Sequence, residues 1–148
     1  IYRPLNNFFL NPFMEHVRRK YICINQIKKG RTGVKNAINY IHSNHSVALM
    51  VDQRVSEGKK LIFFEHMALT TTLPAQLAVK YHLDIVPIYI ARNENDNFRM
   101  KVYEPIRNLE NENNDIKKLS LTISLNKILE QMIHEDPGQW IWTHNRWK

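Results

Sequence analysis

Apolar residues recur at two spacings, and the order in which those spacings alternate predicts the fold class. Phe13, Met14 and Val17 predict a helix over residues 12–20. Pro12 suits its first turn, and the basic run His16-Val17-Arg18-Arg19-Lys20 suits the negative pole of its dipole. Val34, Ala37, Ile38 and Ile41 fall at i, i+3, i+4 and i+7, which predicts an amphipathic helix over residues 33–43. Residues 46–51 (SVALMV) are nearly all apolar, as are 61–64 and 85–91; each run has strand length, and strands apolar on both faces belong to parallel sheets. Leu73, Leu77 and Tyr81 line one face of a helix that begins at Thr70-Thr71-Thr72-Leu73-Pro74, and Asp84 ends the pattern. Residues 98–103 alternate and follow a turn at 93–97, so the chain doubles back there as a hairpin. Residues 107–115 are a polar loop, and Leu121, Leu125, Ile128, Leu129 and Met132 mark a last long helix ending near Pro137.

Helices and strands therefore alternate through the middle of the chain. This predicts an α/β layered domain with a mostly parallel sheet flanked by helices and a C-terminal β-hairpin. In such sheets the loops after strand ends build the sites. That rule selects residues 3–7, 52–58 and 65–72.

Composition narrows the class. With 43% hydrophobic and 24% charged residues the chain is globular, and Cys23, the single cysteine, excludes an internal disulfide. A net charge of +7 and a pI near 9.6 favour polyanionic partners: nucleic acid, anionic lipid, phosphorylated ligands or an acidic protein. No run approaches the ~18 apolar residues that cross a bilayer. The start at Ile1-Tyr2-Arg3-Pro4, with no Met, reads as a strand end entering a loop, hence as an excised piece, which leaves room upstream for any membrane anchor.

Four segments have the residue types for chemistry. In Tyr2-Arg3-Pro4-Leu5-Asn6-Asn7, an arginine beside two asparagines suits bidentate binding of a phosphate or carboxylate, although an ordinary surface turn is the commoner use of such a segment. Val51-Asp52-Gln53 places a carboxylate where it orients a neighbouring group or caps a loop. Residues 63–72 (FFEHMALTTT) run from an apolar strand through adjacent Glu65 and His66 to a hydroxyl-rich helix entrance, suited to an anion or to plain capping. Adjacent residues on a strand face opposite ways, which weakens Glu65 and His66 as an acid/base pair. Residues 139–148 (QWIWTHNRWK) set three tryptophans among cations. That pattern suits a bilayer interface, stacking on single-stranded nucleic acid, or a tail packed on the domain. Phosphate-binding glycine loops, dinucleotide fingerprints and a Gly-x-Ser-x-Gly elbow are absent from the sequence, and one cysteine makes no typical zinc site.

Taken in order, these segments resemble the lauroyl/myristoyl acyltransferases of lipid A biosynthesis, within the wider glycerolipid acyltransferases. Tyr2-Arg3-Pro4 resembles that family's Tyr-Arg-Pro block and Asp52-Gln53 its Asp-Gln strand end. Phe63-Phe64 with Ala68 to Thr72 resembles its Phe-Phe-Gly-x-x-Ala-x-Thr block, and Val86-Pro87-Ile88 its Val-Pro-Val strand. Asp136 to Lys148 resembles its Pro-Glu-Gln-Trp-x-Trp-x-His-Arg-Arg-Trp-Lys close, the most specific of the five. Glu65 stands where that family has Gly, and Gly138 and Asn145 stand where it has Glu and Arg. Its catalytic His, with an acid five positions later, has no counterpart here: the residues five beyond His16, His42, His45, His66, His82 and His134 are Tyr21, Val47, Met50, Thr71, Pro87 and Gln139, and His144 runs past the end.

The resemblance implies that residues 1–148 are the C-terminal part of a single acyltransferase domain at the cytoplasmic face of a bacterial inner membrane, anchored by a segment absent here. It implies transfer of a fatty acyl chain from an acyl carrier protein thioester to a hydroxyl of a lipid A precursor, without a cofactor or metal. The general base and its acidic partner would lie outside this chain, leaving the fragment alone inactive. Arg3 and Asp52 take the catalytic places, Arg3 toward a phosphate or the developing oxyanion and Asp52 orienting it or another site residue. Asn6, Asn7, Gln53, Thr70, Thr71 and Arg146 take substrate-binding places, and an anionic membrane surface is a further partner. A lysophospholipid acyltransferase is the nearest alternative; its relatives carry Phe-Pro-Glu-Gly-Thr, and Phe64-Glu65-His66 lacks that Pro and Gly. A non-enzymatic nucleic-acid-binding domain is the alternative from another class, carried mainly by charge.

Overall fold

In the computed structural model, which describes residues 1–2, 4–107 and 112–147, the chain divides into two units, Ile1–Met50 and Val51–Lys148.

The first unit is built on two short helices, α1 (Leu10–Tyr21) and α2 (Arg31–His42), close to the two read from periodicity. The Asn7 side chain opens α1 by accepting from the backbone N–H groups of Phe9 and Leu10, each at 3.0 Å. Arg18, Arg19 and Lys20 close it, as the helix dipole favours. Glu15 turns back onto Lys28 at 2.8 Å and accepts from Asn11 at 2.9 Å. Tyr2 forms a single parallel bridge with Lys28, so the expected strand end is one bridge long. α2 buries Gly33 and Ala37. Gly33 is required there, because a Cβ would sit 1.9 Å from the carbonyl oxygen of Lys28.

The second unit holds two antiparallel hairpins and two helices. β1 (Lys59–Phe63) pairs with β2 (His66–Thr70), and β3 (Ile88–Arg92) pairs with β4 (Phe98–Val102). α3 (Leu73–Tyr81) follows the first hairpin, with Pro74 in its first turn as expected. α4 (Asn114–Glu135) is capped by Asn113, whose side chain accepts from the N–H groups of Asp115 and Ile116. A 3-10 turn, Pro137–Gln139, leads into the tryptophan-rich tail. Leu129, Met132 and Ile133 of α4 pack with Phe63 and Ala68 of the first hairpin, and Leu121 packs with Ala75, Ala78 and Val79 of α3. The second hairpin keeps Ala91 buried and Tyr89 half-buried on one face. Its other face, with Ile88, Ile90, Phe98 and Met100, is exposed.

The mostly parallel sheet is not what forms: both described sheets are two-stranded and antiparallel. Two causes are visible. The run at 46–51 is apolar enough for a strand, yet it stays outside any ladder, and a short apolar run does not by itself supply a neighbour. The segment 63–72, read as one strand entering a helix, instead reverses at Phe64-Glu65. Both residues have left-handed backbone, φ 49° and 63°, the requirement of a two-residue hairpin turn. Such turns announce themselves by Asn or Gly, and Phe-Glu does not. The predicted hairpin of 85–91 with 98–103 does form, as β3 and β4.

Candidate functional site

The second unit has a polar centre inside its apolar core. Arg146 is fully buried, and its Nη2 donates to Thr70 Oγ1 and Asn126 Oδ1, each at 3.1 Å. Asn126 in turn donates through Nδ2 to the same threonine oxygen and to the carbonyl of Ile62, both at 3.1 Å. One arginine thus ties the C-terminal tail to the first hairpin and to α4. Its guanidinium carbon lies 3.9 Å from the Phe63 ring centroid, within cation–π range. The Arg146 carbonyl accepts from Leu69 N–H at 2.9 Å, so the tail runs along β2.

Two guanidinium nitrogens of Arg146, Nε and Nη1, are buried with no partner among the described residues. Burial pushes the group down to about 10, against the carboxylates of Asp52 and then Glu130, which favour its charged form. Neither carboxylate is in ion-pair contact with it. Glu130 instead accepts from the N–H of Phe64 at 2.8 Å and so holds the left-handed turn. Thr122, Asn126 and Glu130 recur every fourth residue, a polar row on the face of α4 that meets the first hairpin.

The aromatic residues close this centre. Phe63 stacks on Trp147 at 5.8 Å and meets Trp140 edge-on at 5.9 Å. Trp147 Nε1 donates to the Phe63 carbonyl at 3.1 Å, and Trp142 Nε1 to the Pro137 carbonyl at 2.8 Å. Of the three readings open for residues 139–148, the packed tail is the one adopted. Only Ile141 and Trp142 of its large apolar side chains remain exposed.

Beside the polar centre lies a cleft of about 800 Å³ between the start of α4, α3 and β1. Lys59, Lys80, Lys118 and His82 line it with one acid, Asp115, which pairs with Lys118 at 3.1 Å. Thr72 stands in its wall and accepts from Gln76 at 2.8 Å. The size is that of a small-ligand site, and the excess of cations suits an anionic group.

The expected site residues are thereby placed as follows. Thr70 and Arg146 meet directly and are buried. Asp52 is half-buried and acts electrostatically on Arg146, while Gln53 is exposed. Thr71 accepts from Leu73 N–H at 3.4 Å at the entrance of α3. In the first unit, Asn7 accepts from the N–H groups of Phe9 and Leu10 at the entrance of α1, and Asn6 is exposed. Arg3 lies outside the described residues, as do 108–111 of the polar loop and Lys148. Asn126 and Glu130 went unread in the sequence; their signal was a pair of polar residues four apart on a helix face otherwise marked by Leu121, Leu125 and Leu129. No group of His, Cys, Asp and Glu among the described residues has the arrangement of a metal site. No described helix is long and apolar enough to cross a membrane.

Comparison with known proteins gives one family. The family model described as bacterial lipid A biosynthesis acyltransferase matches residues 1–148. None of the curated proteins matches the chain.

Proposed function

The chain belongs to the bacterial lipid A biosynthesis acyltransferases, and from that premise we propose that it serves transfer of a fatty acyl chain from an acyl carrier protein thioester to a hydroxyl of a lipid A precursor. The observation that carries this reading is the match across residues 1–148. The geometry supports it in one respect: three sequence blocks that resemble the family meet in the second unit. Phe63 to Thr70 and Trp140 to Trp147 pack against each other through Arg146, and Asp52 is the first of two carboxylates acting on that arginine.

In this reading Arg146 is a positioning residue. Fully buried, it fixes Thr70 and the strand end that leads into α3. Asp52 favours its charged form. The cationic cleft of Lys59, Lys80 and Lys118 takes a phosphorylated part of the acceptor, and Arg3 a phosphate or the oxyanion formed when the thioester carbonyl is attacked. The base that deprotonates the acceptor hydroxyl is a histidine from outside these 148 residues, since no His here has an acid five positions on. We place the reaction at the cytoplasmic face of the inner membrane, where both acceptor and carrier protein are met.

The test is acyl transfer to a lipid A precursor. Residues 1–148 alone should show no turnover, and a polypeptide that also carries the histidine motif should be active. Arg3→Ala in that polypeptide should cut kcat by a factor of 100 or more, the order expected for one oxyanion donor. Turnover by residues 1–148 alone would refute the placement of the base. A carrier-dependent activity on lysophospholipid but not on lipid A precursor would replace the acceptor.

A further inference from the structure

The net charge of the chain is confined to one unit. Residues 1–50 contain eight Lys and Arg against the single acid Glu15, whereas residues 51–148 contain thirteen of each sign. The +7 of the whole is therefore the charge of the first unit alone. That unit also exposes several of its large apolar residues. Phe8 and Phe9 are 84% and 88% exposed and meet edge-on at 5.7 Å just before α1. Leu10 and Phe13 follow them on the helix, and Ile22 and Ile24 beyond its end are about three-quarters exposed. α1 has no buried residue at all.

On a helical projection, Leu10, Phe13, Met14, Val17 and Tyr21 share one face of α1; Leu10, Phe13 and Tyr21 are exposed on it, and Met14 and Val17 are half-buried. Arg19 and His16 lie on the opposite side, and Lys20 borders the apolar stripe. Asn11 and Glu15 lie on a third side, engaged with Leu5 and Lys28 within the unit. An aromatic-tipped apolar face bordered by cations is the pattern of a helix lying in a membrane interface. There aromatic rings enter the headgroup level, and Lys and Arg meet lipid phosphates.

We propose that this face, from Phe8 through α1 to Ile24, seats the first unit on an anionic bilayer surface. Charge complementarity selects the occupant. A second copy would bring one highly cationic surface against another. A nucleic acid would satisfy the cations but leave Leu10, Ile22 and Ile24 without an apolar partner, whereas an anionic bilayer satisfies both. The choice of a bilayer rests on the acyltransferase reading of a lipid acceptor; the geometry of the face does not.

Cys23, the only cysteine, is exposed between Ile22 and Ile24 and supplies the reporter. An environment-sensitive fluorophore attached there should shift to the blue when residues 1–148 are mixed with vesicles of phosphatidylcholine and phosphatidylglycerol. It should stay unshifted with phosphatidylcholine alone, and salt should reverse the shift. Arg19→Gln with Lys20→Gln should weaken partitioning by roughly thirtyfold, at the strength of one surface cation each. Phe8→Ser with Phe9→Ser should abolish the blue shift. All four side chains are exposed, and a circular dichroism spectrum like the parent's certifies that each variant is folded. No shift with anionic vesicles, equal binding by both double variants, or a shift that follows protein concentration without lipid would each overturn the proposal. Acyl transfer to detergent-dispersed acceptor is read separately, in the polypeptide that also carries the histidine motif. Its absence there with vesicle binding intact removes the enzymatic reading, and its presence without vesicle binding removes the surface.

Discussion

Arg146→Met sets opposing terms of similar size against each other. The arginine makes two charge-assisted hydrogen bonds, to Thr70 and Asn126, of about 1.5–3 kcal/mol each. Its stacking on Phe63 adds about 2 kcal/mol in a desolvated setting. Against these stands the burial of a charge with no carboxylate in contact. Burial, which pushes the guanidinium down to about 10, corresponds to about 3 kcal/mol against the charged form. Methionine recovers that penalty and keeps about 1 kcal/mol of sulfur–aromatic contact with Phe63. It also leaves the Asn126 Oδ1 acceptor buried without its donor. The balance is a net loss of about 2–4 kcal/mol.

Urea unfolding followed by tryptophan emission reads this directly, because all three tryptophans, Trp140, Trp142 and Trp147, lie in the second unit and pack in the cluster that Arg146 supports. The midpoint should fall with an unchanged slope. Arg146→Lys should fall nearly as far, since an ammonium keeps the charge but loses the fork and the planar stack. A midpoint for Arg146→Met equal to or above the parent's would show that desolvation outweighs the bonds. Full rescue by Arg146→Lys would show that charge alone holds the site. Either outcome refutes the reasoning.

Other expectations follow from single features. Glu65→Gly should stabilise the second unit by about 1 kcal/mol, because Glu65 holds a left-handed backbone whose steric cost only glycine avoids; an unchanged or lowered midpoint would contradict this. In the first unit, hydrogen bonds from Lys28 and then Asn11 hold the Glu15 carboxyl down at about 2, against an ordinary value of 4.5. The folded value lies below the unfolded one, so this stabilisation is complete above pH 4.5 and is lost as pH falls through 2. The Glu15 carboxyl resonance should titrate in that low range and move back toward 4.5 in Lys28→Met; a parent titration at the ordinary value would disprove the contact.

Helices were legible in the sequence because their signals are local. The apolar repeat at Val34, Ala37, Ile38 and Ile41 marked α2, and Pro74 marked the first turn of α3. The α4 repeat showed the helix but not its start at Asn114, nearly two turns before the first apolar marker, Leu121. Sheet topology was not legible, since it depends on which segments become neighbours. The reversal at Phe64-Glu65 illustrates the difficulty. Its turn is held from outside, by Glu130 accepting from Phe64 N–H sixty-six residues away, rather than by turn-forming residues of its own. Local reading therefore carried the strand straight on into a helix.

The site was partly legible for the same reason. Thr70 and Arg146 were named from motif resemblance, and they touch. Asn126, which bonds to both, was passed over because a single polar residue on an apolar helix face carries no motif. The charge of the chain shows how a whole-chain figure conceals a local one. A net +7 pointed to polyanionic partners without saying where they bind, but the second unit is neutral overall and, among the described residues, surrounds the fully buried cation of Arg146, while the first carries all the excess beside exposed aromatic residues. These distributions do different work. A buried cation held by neutral oxygens gains geometric constraint at an electrostatic cost, as a positioning residue must. Exposed cations around an apolar stripe cost little in the folded chain and act mainly on an external partner. Stability measurements should therefore respond to Arg146 and ignore Arg19 and Lys20, and vesicle binding should respond in the opposite way.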